Sequence, residues 1–138
     1  MNKEKIKNDI ILPRLRQDEE LIGFFQGEDC KFNLLVLLLS LLAEGMSIPV
    51  RTYYVAVTDQ GLHLHKLRFL STRKVTAYNF FSYAEISKMN LVEEFISTDS
   101  LKLVFSTGRE LKLETLSATK QEMQLDNRTR NFLLSKSS

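Results

Sequence analysis

Short stretches of alternating apolar and polar residues run through most of the chain and predict β-strands. Side chains of a strand point alternately to its two faces, so a period of two is typical of a strand with one buried face. Turn-forming residues, among them Asp59-Gln60-Gly61, Thr98-Asp99-Ser100 and Thr107-Gly108, separate neighbouring stretches. The seven predicted strands are residues 21–27, 51–58, 61–69, 75–81, 85–92, 101–106 and 109–114.

A helical period marks both ends of the chain. Residues 3–12 place Ile6 and Ile10 one turn apart, and Pro13 is expected to end this helix because the residue before a proline avoids helical geometry. Residues 119–134 begin with Thr-Lys-Gln-Glu, in which the hydroxyl and the carboxylate have the spacing of a capping box. The face shared along this C-terminal helix comprises Leu125, Thr129, Phe132 and Leu133.

The longest apolar run, FNLLVLLLSLLA at residues 32–43, predicts a helix that is apolar on nearly every side. Asn33, Ser40 and Glu44 give it one narrow polar stripe. As a helix the run spans about 18 Å, against about 30 Å of bilayer hydrocarbon, so it is too short to cross a membrane alone. It must be buried against the rest of its own chain, a second subunit or a membrane surface. The predicted association surface is Phe32, Leu35, Leu38, Leu39 and Leu42.

Seven strands followed by one amphipathic helix describe a small barrel capped by a helix, and here the chain resembles the bacterial pleckstrin-homology-like domains, relatives of the GRAM-type domains. The stretches that carry the resemblance are DEELIGFFQG (18–27), YYVAVTDQGLHLHK (53–66), FFSYAEISKM (80–89) and LKLVFSTGRELKLE (101–114). The resemblance covers about residues 18–135 of a single domain, 1–138. It implies a mainly β, seven-stranded barrel with a C-terminal helix, interrupted by a Leu-rich helical insertion at about residues 30–45, between strands one and two. It also implies a binding or assembly module, without naming a ligand.

The composition is that of one folded domain, with 138 residues, 43% of them apolar and 26% charged. Nineteen Lys and Arg against seventeen Asp and Glu leave a net charge of +2, which excludes the dense basic surface of a committed nucleic-acid binder. The basic residues at the start of the chain are not followed by the apolar stretch of a signal peptide. We therefore expect a cytoplasmic protein without a nucleic-acid partner, and contact with a membrane surface stays open.

Few residues suited to metal or nucleophile chemistry are present. His63 and His65 share one face of a predicted strand, which suits a metal pair, but the sequence places no third ligand, and we expect a solvated strand face. Cys30 follows Glu28 and Asp29, whose charges disfavour a thiolate. Neither a paired-carboxylate constellation nor a Gly-rich phosphate loop is recognisable in the sequence. We expect a protein that is not an enzyme and that has no cofactor and no metal.

Four cations surround the connection between the third and fourth strands, in a stretch from residue 60 to residue 84 that contains no acid. We call Lys66, Arg68, Arg73 and Lys74 the basic hairpin; it is the predicted ligand-binding cluster, suited to an anionic head group. Solvating charge at an exposed hairpin is the other interpretation. The function predicted from the sequence is a non-enzymatic binding or assembly module that self-associates or binds a protein partner. The alternative is a peripheral membrane adaptor that binds anionic lipid through the basic hairpin.

Overall fold

The computed structural model describes residues 2–29, 51–68, 73–94, 98–115 and 123–137, with backbone alone at residues 93, 94 and 98. Helix α1 (Lys3–Ile6) continues into a π-helical turn (Lys7–Ile11) and a 3-10 turn (Leu12–Arg14), and helix α2 is Asn127–Lys136. The strands are β1 (Leu21–Asp29), β2 (Arg51–Thr58), β3 (Gly61–Leu67), β4 (Val75–Ser82), β5 (Ile86–Glu94), β6 (Thr98–Phe105) and β7 (Glu110–Thr115). Within these described ranges, no helix combines the length and the hydropathy needed to cross a bilayer.

The seven strands form one antiparallel sheet in the order β4-β3-β2-β1-β7-β6-β5. Strands β4 and β5 lie at opposite edges of this order, yet a 3-10 turn of three residues, Tyr83–Glu85, joins them. A flat sheet with six inter-strand spacings would be about 29 Å wide, whereas three residues reach about 10 Å. The sheet therefore curls, and the ring of Phe81 on β4 stacks on that of Phe105 on β6 with centroids 4.2 Å apart. The predicted fold class, a mainly β barrel capped by a C-terminal helix, is confirmed.

The barrel interior is filled by the inward-facing rows of the strands, as the period of two predicts. Alternate residues of a strand share a face, so the side chains that a strand contributes to the core are two residues apart. The strand residues buried there are Phe25, Val55, Val57, Leu62, Leu64, Met89, Leu101, Leu103, Phe105 and Leu113.

Helix α2 packs where β1 begins. A Cβ atom at Gly23 would collide with Oγ1 of Thr129, so the missing side chain at Gly23 lets the helix approach the strand closely. Leu133 enters the core from the helix and is 0% exposed. Arg130 binds Asp99 on β6 with both of its terminal nitrogens, and Nη1 donates to Oδ1 at 3.0 Å.

A second hydrophobic cluster lies on the outer face of the barrel. Residues 2–20, which we call the N-terminal segment, bury Ile6, Ile10 and Ile11 against outward-facing side chains of the sheet. The sheet residues in this cluster are Phe24, Tyr54, Ala56 and Leu67. Strands β1 to β3 are therefore covered on both faces, which explains why Tyr54 and Ala56 are as buried as the core residues next to them.

Three sequence-based boundaries need correction. Helical turns run through Pro13 to Arg14, because a proline is tolerated in the first turn of a new 3-10 segment. Residues 98–100 belong to β6 and not to a turn, since Asp99 pairs with Thr115 on β7. Helix α2 begins at Asn127, where the side chain of Asp126 accepts from the Thr129 N–H at 2.8 Å. The Thr-Lys-Gln-Glu sequence and the Leu-rich run, with Phe32, Leu35, Leu38, Leu39 and Leu42, lie outside the described residues.

Candidate functional site

The inward-facing rows of the core change from apolar to polar at one end of the barrel. On β1, Phe25 faces the core, and Asp29, four residues on, lies on the same face. Arg51 on β2 is the register partner of Asp29, while Asn79 on β4 and Arg109 just before β7 line the same cavity. We call this end, defined by Asp29, Arg51, Asn79 and Arg109, the barrel mouth. It lies at the end of β1 opposite to the one that α2 covers.

A cavity of about 390 Å³ lies inside the barrel mouth. Its apolar walls come from β3, β4, β6 and β7, and consist of Leu64, Phe81, Phe105 and Leu111. Its charged lining consists of Asp29, Arg51, Glu85, Arg109 and Glu110. Cavities of this size, with apolar walls and a few convergent polar groups, accept small organic ligands.

Asp29 is the most buried of these charged residues, with 3% of its surface exposed. Its Oδ2 atom has no hydrogen-bond donor among the described residues. A buried carboxylate oxygen without a partner destabilises the fold, because burial removes the water that would otherwise solvate it. The sequence-based prediction ended β1 at Gly27 and therefore missed this residue. The sequence did contain a signal for it: Phe25 and Asp29 are an even number of residues apart, so they lie on the same face of a strand.

The charges of the barrel mouth act on the neighbouring phenol of Tyr53. Burial raises the pKa of Tyr53 above its usual value, and the charge of Asp29 raises it further. Arg51, which hydrogen-bonds to the phenol, and Arg109 act in the opposite direction but are outweighed. The phenol therefore stays protonated at neutral pH, and part of the hydrogen-bonding capacity of Arg51 is directed at Tyr53.

Three residues of the basic hairpin are exposed around one turn, whereas the fourth lies within a strand. Arg68, Arg73 and Lys74 are exposed around the turn between β3 and β4, and the Arg68 N–H donates to the Lys74 carbonyl at 2.8 Å. Lys66 lies within β3, is half-buried and pairs in register with Tyr53. Since β3 ends on the side where β2 begins, the three exposed cations lie at the same end of the barrel as the mouth.

The expectation of a solvated face at His63 and His65 is wrong, because the N-terminal segment covers that face. The two side chains are 1% and 0% exposed, respectively. His63 Nε2 donates to Glu19 Oε2 at 2.7 Å, and its Nδ1 lies 2.6 Å from the hydroxyl of Tyr78. His65 Nδ1 donates to the Tyr54 carbonyl at 3.1 Å, and burial lowers the pKa of His65 to about 4.

The contacts of this histidine pair fasten the N-terminal segment to the sheet. Burial by itself would raise the pKa of Glu19, but hydrogen bonds from Thr58, the Arg16 N–H and His63 hold it below its usual value. The guanidinium of Arg16 lies 4.4 Å from the centroid of the Phe80 ring. Groups of three His, Cys, Asp or Glu that could hold a metal are not found within the described ranges. The arrangement is that of a structural clamp.

Comparisons with known proteins show the fold alone. No protein-family model matches the chain, and no curated protein matches it. Among solved structures, the chain is similar to the hSac2 domain from human phosphoinositide phosphatase Sac2, with a TM-score of 0.54 and 9% sequence identity. That match covers 99% of this chain and 82% of the hSac2 chain, so the likeness extends over nearly the whole chain.

Proposed function

We propose that the chain is a non-enzymatic binding module that associates with a protein partner, in the first instance a second copy of itself, at the barrel mouth. The observation that carries the proposal is the register of β1 and β2. Asp29 and Arg51, the described residues that flank the Leu-rich run in the sequence, are paired residues of neighbouring strands and both line the cavity. They lie at the same end of the barrel as the exposed cations of the basic hairpin, which supports a binding role for this end.

The chemistry of the polar groups also favours binding over catalysis. His63 and Glu19 bond to each other with side chains 1% and 0% exposed, which leaves no room for a substrate between them. Burial raises the pKa of Tyr78, and the charge of Glu19 raises it further, so the phenol ionises less readily than a free one and supplies less phenolate. By resemblance and by fold, we propose that the chain belongs with the cytoplasmic bacterial pleckstrin-homology-like domains.

Light scattering of the purified chain tests self-association. We expect at least a dimer for the wild type and a monomer after Leu35→Asn, Leu38→Asn and Leu42→Asn, because each exposed leucine forgoes about 1.5–3 kcal/mol of burial. Leu134→Asn is the matched control, since Leu134 is 49% exposed on α2 at the other end of the barrel, and it should leave the mass unchanged. A wild type that stays monomeric across micromolar concentrations contradicts self-association.

Anionic lipid head groups are the second candidate for this end of the barrel. The exposed Arg68, Arg73 and Lys74 favour it, as does the fold shared with a domain of a phosphoinositide phosphatase. Three cations near an anionic bilayer contribute about 3 kcal/mol, so replacing all three by Gln should weaken liposome binding by roughly 100-fold.

Co-sedimentation with neutral and anionic liposomes separates the two functions. The matched control replaces three exposed cations elsewhere, Lys5, Lys88 and Lys102, by Gln. If lipid is the ligand, the control binds anionic liposomes like the wild type, and raised salt releases both, because exposed charges are screened over about 10 Å at 0.1 M. Equal recovery from neutral and anionic liposomes, or no recovery from either, rejects the lipid function and leaves the protein-binding function standing.

A further inference from the structure

We infer that the cavity of the barrel mouth binds a small organic ammonium ion, an amine carried on an apolar body, through the carboxylate of Asp29. The inference goes beyond the association with a protein partner and does not depend on it, because it rests on the cavity alone.

The sign of the ligand charge follows from how far each charged residue of the lining is buried. Asp29 is 3% exposed, whereas the other charged residues of the lining, Arg51, Glu85, Arg109 and Glu110, are exposed. Exposed charges are solvated and contribute little, while a buried charge acts at a lower effective dielectric constant. The cavity therefore presents its strongest field from Asp29 and favours a cation.

The ligand is expected to carry an N–H donor, because one carboxylate oxygen of Asp29 lacks a hydrogen-bond partner within the described part of the chain. Its Oδ2 accepts no hydrogen bond from any described residue, and a ligand N–H would supply one. A charge-assisted bond of N⁺–H to a carboxylate is about twice as strong as a bond between neutral groups. The side-chain carbonyl of Asn79, which lines the same cavity, offers an acceptor for a second N–H of the same ammonium group.

The apolar walls of the cavity indicate that the ligand also has an apolar body. Phe81 and Phe105 stack with their centroids 4.2 Å apart and form a continuous aromatic surface beside Leu64 and Leu111. Such walls exclude a hard divalent cation as the preferred occupant, since Ca²⁺ and Mg²⁺ require a shell of about six oxygen ligands. An aromatic or alkyl body would instead bury its surface against these walls, and the aromatic faces would attract the cation as well.

Titration with a pair of matched compounds tests the inference on the full chain. Phenethylamine is the probe, and phenethyl alcohol, with the same body and no charge, is the control ligand. In amide NMR spectra of the wild type, we expect saturable shifts at residues of the cavity walls. We expect the amine to bind at least about ten-fold more tightly than the alcohol, because a hydrogen bond between charged groups is stronger than one between neutral groups.

Two variants attribute the preference to the buried carboxylate. Asp29→Asn should reduce the affinity for the amine to about that for the alcohol, whereas Glu110→Gln, which removes an exposed acid of the same cavity, should change it less than about three-fold. Equal binding of the two compounds by the wild type overturns the inference. It is also overturned by shifts that map away from the cavity, by an amine affinity unaffected by Asp29→Asn, or by no binding at about 10 mM. The wild-type comparison decides the question even if Asp29→Asn does not fold.

Discussion

Acid should destabilise this protein well above the pH range in which its carboxyl groups titrate, and His65 is the cause. The side chain is 0% exposed, and burial lowers its pKa from 6.5 to about 4 in the folded state. In the unfolded chain the same imidazole takes up a proton near its ordinary pKa. Between pH 6.5 and about 4 the unfolded state therefore binds a proton that the folded state does not, and stability falls as the pH is lowered.

The size of this effect follows from the two pKa values. The gap between 6.5 and about 4 corresponds to about 3 kcal/mol of unfolding free energy, at about 1.4 kcal/mol per pH unit. The stabilisation is complete above pH 6.5, is lost progressively below it and changes no further below about pH 4. For a domain of ordinary stability, about 5–15 kcal/mol, the loss is a substantial share.

Urea unfolding at a series of pH values measures the effect, with His65→Gln as the comparison. The amide of glutamine can still donate to the Tyr54 carbonyl but does not titrate, so the curve of the variant should be flatter between pH 4.5 and 6.5 by about 2–3 kcal/mol. Lys88→Gln, at an exposed position on β5, is the control and should follow the wild type. Parallel wild-type and His65→Gln curves would refute the assignment of the acid sensitivity to this residue.

Two further predictions concern the contacts between α2 and the sheet. Gly23→Ala should destabilise the fold by about 1–3 kcal/mol, because its Cβ would collide with Thr129 Oγ1. Adding Thr129→Ala should restore most of that loss in a double-mutant cycle, and additive losses would contradict the contact. Arg130→Met should lower the unfolding free energy by about 3 kcal/mol, because it leaves Asp99, which is 8% exposed, without its cation. Arg128→Met, which removes one partner of an exposed ion pair, should lower it by under about 1 kcal/mol in the same urea assay. Equal losses would show that burial does not strengthen the pair of Arg130 and Asp99.

The strands could be predicted from the sequence because each has one face in the core. Alternation at Val55 and Val57, or at Leu101 and Leu103, records that face directly, and the observed bounds differ from the predicted ones by only a few residues. The start of α2 could not be fixed in this way. Asp126 followed by Thr129 caps a helix as well as a Thr-Lys-Gln-Glu sequence does, and sequence spacing alone does not rank two such caps.

The surroundings of His63 and Asp29 depend on tertiary contacts that the pattern does not contain. Alternation shows that His63 faces away from the core, but the N-terminal segment decides whether that second face meets water. The apolar Ile6, Ile10 and Ile11 were the available clue, since they needed a surface to cover. Asp29 was missed because β1 continues two residues past Gly27, where its pairing with β2 outweighs the turn tendency of glycine.

The place of β1 in the sheet sets the order in which the barrel can form. Strands β2 to β4 and β5 to β7 are joined to their sequence neighbours and need only local chain closure, whereas β1 also pairs with β7 through Glu28 and Glu114. That last pair closes a loop of most of the chain, which costs more entropy than any hairpin and makes folding slow, on a scale of milliseconds to seconds. During synthesis, the edge of β1 that pairs with β7 therefore stays unpaired until β7 has left the ribosome.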